Sequence, residues 1–166
     1  LAQNYVKKFR EMKEKNQGLL LYGPVGTGKS FTAACIANAL MEQNITVIMT
    51  SFVKILQDIG TGDEASYIQI LNSASLLIID DLGAERNTDY ALEKVYNVID
   101  SRIRTDKPMI LTTNLELSEM LQTTDIRYRR VYDRIFETCY PVEMPGKSFR
   151  QIEAAQRFND MKELLQ

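Results

Sequence analysis

The chain has 166 residues, 45% of them apolar and 25% charged, with a formal charge of −2. That is one domain's worth of protein, able to bury a core, and too weakly charged to be held on nucleic acid or anionic lipid without a local basic patch. No run approaches the roughly 20 apolar residues of a membrane span, and His is absent, so acid–base chemistry falls to carboxylates, Lys, Arg and Asn.

Leu1–Lys15 predicts a charged amphipathic helix with Tyr5, Phe9 and Met12 on one face, broken by Gly18. The stretch Leu1–Asn16 carries seven charges and no apolar core, which excludes a signal peptide. A start at Leu rather than Met predicts a piece of a longer protein. Leu19–Tyr22 is a short apolar run, the first candidate strand, and after a glycine-rich loop Ser30–Gln43 is Ala-rich and helical. Thr46–Thr50 predicts a second strand, and Ser51 can cap a helix over Phe52–Ile59. A polar loop at Gly60–Glu64 and a short helix at Ala65–Leu71 lead to a third strand, Leu76–Asp80. Its lack of polar alternation suits a parallel strand buried on both faces.

Thr88–Arg104 is a long amphipathic helix, with Val95, Val98/Ile99 and Ile103 at helical spacing. Pro108–Thr113 reads as a fourth strand, Leu117–Leu121 and Arg127–Glu137 as helices, Tyr140–Met144 as a fifth strand and Ser148–Leu165 as a closing helix. Five apolar strands alternating with helices predict an α/β domain with a parallel sheet, residues 18–166, behind an N-terminal helix and linker, residues 1–17. Cys35 and Cys139 lie far apart and form no CxxC pair, so neither a disulfide framework nor a zinc site is expected, and a reducing, cytoplasmic setting is.

Gly23-Pro24-Val25-Gly26-Thr27-Gly28-Lys29-Ser30 matches GxxxxGK[ST] between an apolar run and a helix, the context of a phosphate-binding loop. Three glycines let the backbone curl its N–H groups toward phosphate oxygens, and the following helix adds its positive end. Gly23 through Ser30, with Phe31 directly after, are the candidate nucleotide-binding residues. Lys29 is expected at the β- and γ-phosphates and the Ser30 hydroxyl on Mg²⁺. Leu76–Asp81, four apolar residues and two acids, places Asp80 for the Mg²⁺ shell and Asp81 to polarise an attacking water, with Glu85 as a second candidate for the latter. Asn114, or alternatively Thr113, ends the fourth strand where a polar side chain meets the γ-phosphate or that water.

Arg127, Arg130 and Arg134 share a helical face. Three readings stand: an arginine finger for a neighbouring subunit, a phosphate patch for DNA, or a solvated face paired with Asp125, Asp133 and Glu137. Arg150, after the Gly146-Lys147-Ser148 turn, either folds over the γ-phosphate or is a surface residue.

GPVGTGKS (Gly23–Ser30), LLIIDDLGAE (Leu76–Glu85), KPMILTTN (Lys107–Asn114), RVYDRIF (Arg130–Phe136) and GKSFR (Gly146–Arg150) stand in this order. In these the chain resembles the AAA+ ATPase domain of helicase loaders of the DnaC/DnaI type and their relatives, the IstB-like transposition ATPases. The resemblance implies a P-loop AAA+ core without a helical lid, sheet order 5-1-4-3-2, binding and hydrolysis of ATP with Mg²⁺, and catalytic roles for Asp81, Asn114 (sensor 1), Arg134 (arginine finger) and Arg150 (sensor 2). It also implies a self-associating ATP switch that delivers a hexameric replicative helicase onto single-stranded DNA. The alternative is a transposition helper. Two features depart from the pattern: only a short helix precedes the core, where loaders hold their helicase-binding region, and the Lys54–Leu71 region is short. A small-molecule kinase shares the loop and the length, but the paired acids and the Thr-Thr-Asn end favour hydrolysis.

Overall fold

The apolar runs are strands. A computed structural model describes residues 1–83 and 88–165, apart from the side chains of residues 159 and 163. The strands are β1 (Gly18–Tyr22), β2 (Val47–Ser51), β3 (Leu76–Leu82), β4 (Met109–Thr113) and β5 (Cys139–Glu143), all parallel, in the order β2-β3-β4-β1-β5. Counted from the other edge, that is the 5-1-4-3-2 order the resemblance implies. The described helices are α1 (Ala2–Lys7), α2 (Phe9–Glu14), α3 (Lys29–Met41), α4 (Phe52–Thr61), α5 (Glu64–Ser73), α6 (Asp89–Arg104), α7 (Leu117–Gln122), α8 (Ile126–Thr138) and α9 (Phe149–Leu164).

Alternation along each strand divides the core into two layers. Leu77, Ile79, Leu111 and Leu20 pack with Phe52, Ile55, Val95, Ile99, Val131 and Ile135 of α4, α6 and α8. Leu76, Ile78, Ile110 and Leu21 pack with Ile36 and Leu40 of α3 and with Tyr5 and Phe9 of α1 and α2. This is why the inner strands β1, β3 and β4 read as apolar runs, both faces being covered, whereas the edge strands β2 and β5 are only partly buried.

Local chemistry sets the helix starts. Ser51, as expected, accepts from the Lys54 backbone N–H, and Asp63, Thr88 and Ser148 do the same for Ser66, Ala91 and Gln151. Several boundaries differ from the sequence expectation. The first helix is interrupted at Lys8 (φ −103°, ψ 14°), with Tyr5 and Phe9 buried on either side. Gly18 opens β1 rather than breaking a helix; the reversal falls at Asn16, which takes φ 48°. Gly60 and Thr61 continue α4, where the polar sequence suggested a loop, because Ile59 is anchored in the core one residue earlier.

At the end of the sheet remote from the glycine-rich loop, Arg102 is fully buried, and among the described residues no carboxylate pairs with it. It donates to Ala74 O at 3.0 Å, Pro108 O at 2.8 Å and Ser75 O at 3.3 Å, and Lys107 donates to Asn72 O at 2.8 Å. Two cations thus answer the carbonyls at the C-terminal end of α5 and the entries to β3 and β4. Burial pulls the guanidinium down to about 10.

The cysteines differ in the same way. Cys35 is exposed on α3, whereas Cys139 is buried in β5 and burial pushes its thiol up to about 12. Iodoacetamide at about pH 8 is therefore expected to modify Cys35 in the folded protein and Cys139 only after denaturation. Equal labelling of both cysteines in native protein, located by peptide mass, would contradict this packing.

Candidate active site

The sheet order sets the site. β1 lies between β4 and β5, so the loop that leaves β1 meets the ends of β3 and β4 on one side and the segment after β5 on the other. Residues from all four border one cavity of about 780 Å³.

The loop occupies its floor. Gly26 takes φ 83°, and a side-chain carbon there would lie 2.1 Å from Ser148 Oγ. Gly23 takes φ 131° against the Met144 carbonyl. Both positions exclude a side chain, for conformation and for space. Val25, Gly26, Thr27, Gly28, Lys29, Ser30 and Phe31 line the cavity. Gly23 and Pro24 do not; their carbonyls accept from Lys29 Nζ at 2.7 and 2.6 Å. Lys29 is 5% exposed. Burial depresses its ammonium, opposed first by Asp81 and then by Asp80, and Arg150 depresses it further. α3 begins at Lys29, so its first N–H groups lack helical acceptors at the cavity floor.

Asp80 and Asp81 owe their placement to a bulge that the sequence did not announce. β3 pairs Ile79 with Leu111 and then Leu82 with Thr113, one residue more than β4 spends. Alternation therefore resumes with Leu82 in the same core layer as Leu77 and Ile79. Asp81 is the extra residue; it takes φ 57° and lines the cavity. Asp80 stays half-buried behind it.

Thr112, which sequence reading passed over, locks the pair: its fully buried hydroxyl donates to Asp80 Oδ1 at 2.5 Å and accepts from the Asp81 N–H at 3.0 Å. Thr113, the alternative to Asn114, is turned inward, donating to Leu82 O at 2.7 Å and accepting from the Leu115 N–H at 3.1 Å. Asn114 is exposed and lines the cavity. Glu85 lies outside the described residues.

Arg150 lines the cavity from the first turn of α9. That turn is fastened to the loop by the Phe149 N–H, which donates to Gly26 O at 3.0 Å, while ahead of it the Met144 N–H donates to Tyr22 O of β1 at 2.8 Å. Thr32, Phe149 and Glu153 also line the cavity and were not foreseen. Their only sequence signal was proximity to the loop or to Arg150.

The arginines of α8 lie elsewhere. Arg127 pairs with Asp125 and with Asp89 of α6, and its side-chain hydrogen bonds hold the Asp125 carboxyl at about 2. Arg130 stacks over the Tyr96 ring at 4.9 Å. Arg134 is bound to Glu137 at 2.8 Å and lies 3.0 Å from Asp100 Oδ1, a charge contact not aligned as a hydrogen bond. Asp125 and Glu137 are thus partners as expected, Asp133 is not among the ion pairs described, and α6 supplies the rest. Arg134 does not line the cavity.

The family model for "IstB-like ATP binding protein" matches residues 1–157. The chain belongs to this family. It is 26% identical to the replicative helicase loader DnaI of Bacillus subtilis over 89% of its length and 51% of that protein. It is 27% identical to the replicative helicase loader DnaC of Escherichia coli over 80% of its length and 57% of that protein. It is also 27% identical to a Mycobacterium tuberculosis protein named as ATP-binding in an insertion sequence, over 82% of its length and 57% of that protein. The IstB-like chain therefore spans about half the length of these relatives.

Among solved structures, DnaI superposes with a TM-score of 0.72 at 24% identity, covering 89% of this chain and 79% of that one. The DnaA initiator bound to AMPPCP and single-stranded DNA superposes at 0.68 and 20% identity, covering 95% and 51%. At those identities the likeness establishes the fold, an AAA+ P-loop core.

Proposed function

We propose that this IstB-like domain binds and hydrolyses ATP and acts as the nucleotide switch of a helicase loader, helping to place a hexameric replicative helicase on single-stranded DNA. The observation that carries the ATPase reading is the convergence in one cavity of Lys29, Ser30, Asp81, Asn114 and Arg150. In this reading Lys29 leaves the Gly23 and Pro24 carbonyls for the β- and γ-phosphates, exchanging two dipoles for full negative charge. Asp81 takes the proton of the attacking water, Asn114 orients that water, and Arg150 reaches the γ-phosphate from α9. Ser30 and Asp80 are hard oxygen donors suited to Mg²⁺, which would neutralise phosphate charge; Thr112 holds Asp80 in place for this. Arg134, turned away from its own cavity, is assigned to the cavity of a neighbouring copy.

The loader assignment draws on the relatives named DnaI and DnaC. The insertion-sequence relative favours a second reading, a transposition helper, which uses the same core. Lys29→Ala is the first test: calorimetry with Mg-ATP is expected to show affinity at least about 100-fold below wild type. Unchanged affinity would remove the P-loop reading. Turnover of the wild type with single-stranded DNA plus a replicative helicase, against DNA plus a transposase, separates the two roles. Stimulation by the transposase alone would defeat the loader reading.

A further inference from the structure

The cavity holds a second carboxylate with no assigned task. Glu153 lies on α9 four residues beyond Phe149, one helical turn and about 6 Å along the axis, on the same face. Its position relative to the loop is constrained, because the first turn of α9 is fastened at Gly26 by the Phe149 N–H and by the contact with Ser148. Glu153 thus lines the cavity from α9, beyond the fastened turn that carries Arg150. Among the described residues, no ion pair within 4.0 Å engages it.

An ionised carboxylate only accepts hydrogen bonds. A triphosphate has no donors to give it and repels it. In a ribonucleotide the donors are the ribose hydroxyls and the base amine, and only the vicinal diol offers two O–H groups side by side to two carboxylate oxygens. Acids that accept from ribose hydroxyls are an established solution in dinucleotide-binding folds. The apolar Pro145, Phe149 and Phe31 of the same cavity supply surface for a base beyond the sugar.

We infer that Glu153 receives the ribose hydroxyls of the bound nucleotide and makes the site selective for ribonucleotides over 2′-deoxyribonucleotides. This rests on the nucleotide reading of the cavity. The test is calorimetric titration of wild type, Glu153→Ala and Lys29→Ala with Mg-ATP and Mg-2′-deoxyATP. Wild type is expected to prefer ATP by about tenfold, the worth of one charge-assisted hydrogen bond. Glu153→Ala, which loses the partner of both hydroxyls, is expected to bind ATP roughly a hundredfold more weakly and the two nucleotides alike, whereas Lys29→Ala loses affinity for both. A wild type that binds both equally, or a Glu153→Ala protein that keeps the preference, overturns the assignment of Glu153. A wild type that binds neither overturns the nucleotide reading itself. Glu153 is exposed, so its variant is expected to melt with the wild type.

Discussion

Arg134→Ala and Lys29→Ala are each expected to hydrolyse ATP at about a thousandth of the wild-type rate or less, and an equimolar mixture of the two is expected to regain turnover. The expectation follows from where Arg134 stands. It is held on α8 by Glu137 at 2.8 Å and beside Asp100 of α6 at 3.0 Å, and it is absent from the cavity that holds Lys29. A guanidinium that acts on a γ-phosphate from there acts on another subunit's. In the mixture, a Lys29→Ala subunit lends its Arg134 to the intact cavity of an Arg134→Ala neighbour. For the same reason, wild-type turnover per subunit is expected to rise with protein concentration.

The competing explanation is that Arg134 only neutralises Asp100, whose carboxylate side chain is 14% exposed. Arg104 also holds Asp100, at 2.7 Å, so removing Arg134 leaves that carboxylate one cation. A purely structural Arg134 would lower the melting temperature of its variant, and mixing would restore nothing. Turnover that is independent of concentration and survives Arg134→Ala would likewise end the in-trans assignment.

The second large effect is on stability. Arg102→Ala is expected to cost about 3–5 kcal/mol, measured by urea unfolding, without touching the cavity. The guanidinium answers Ala74 O, Ser75 O and Pro108 O from a fully buried position. Removing it leaves a void and takes a donor from each of these carbonyls, of which Pro108 O keeps the Leu77 N–H at 3.4 Å. Arg102→Lys is expected to recover only part of the loss, because an ammonium cannot span carbonyls that a planar fork reaches from two nitrogens. The net stability of a domain is of the order of 5–15 kcal/mol, so the alanine variant should lie near the limit of folding. A loss below about 1 kcal/mol would mean that water replaces the guanidinium at these carbonyls.

Arg102 also marks where sequence reading stops. It sits on the apolar face of an amphipathic helix, three residues after Ile99 and four after Val98, so spacing sets it apart from the exposed Arg104 but does not say what a cation would meet there. Only the approach of the α5 end and the first residues of β3 and β4 makes it a buried hub. Thr112 is similar: as one of two threonines closing a strand it carried no mark, and its role depends on the partner strand having a bulge opposite it. The bulge was hidden as well, because two consecutive acids at a strand end read as a simple exit from the sheet. Glu153 and Phe149 were read as part of a closing helix because their distance from the loop, more than a hundred residues along the chain, is bridged by β5 pairing with β1.

What the sequence determined by itself was local. Short runs rich in apolar residues identified the five strands, the Ser51 cap placed α4, and the contiguous GxxxxGK[ST] identified the phosphate loop, because hydrophobic period, capping and backbone curl depend on neighbouring residues. The tertiary structure decided which distant groups share the cavity with that loop. It brought Asp81, Asn114, Arg150 and Glu153 to it and turned Arg134 away. The physical reason is the placement of β1 between β4 and β5: strand order is set by the packing of both sheet faces at once, and no single segment carries it.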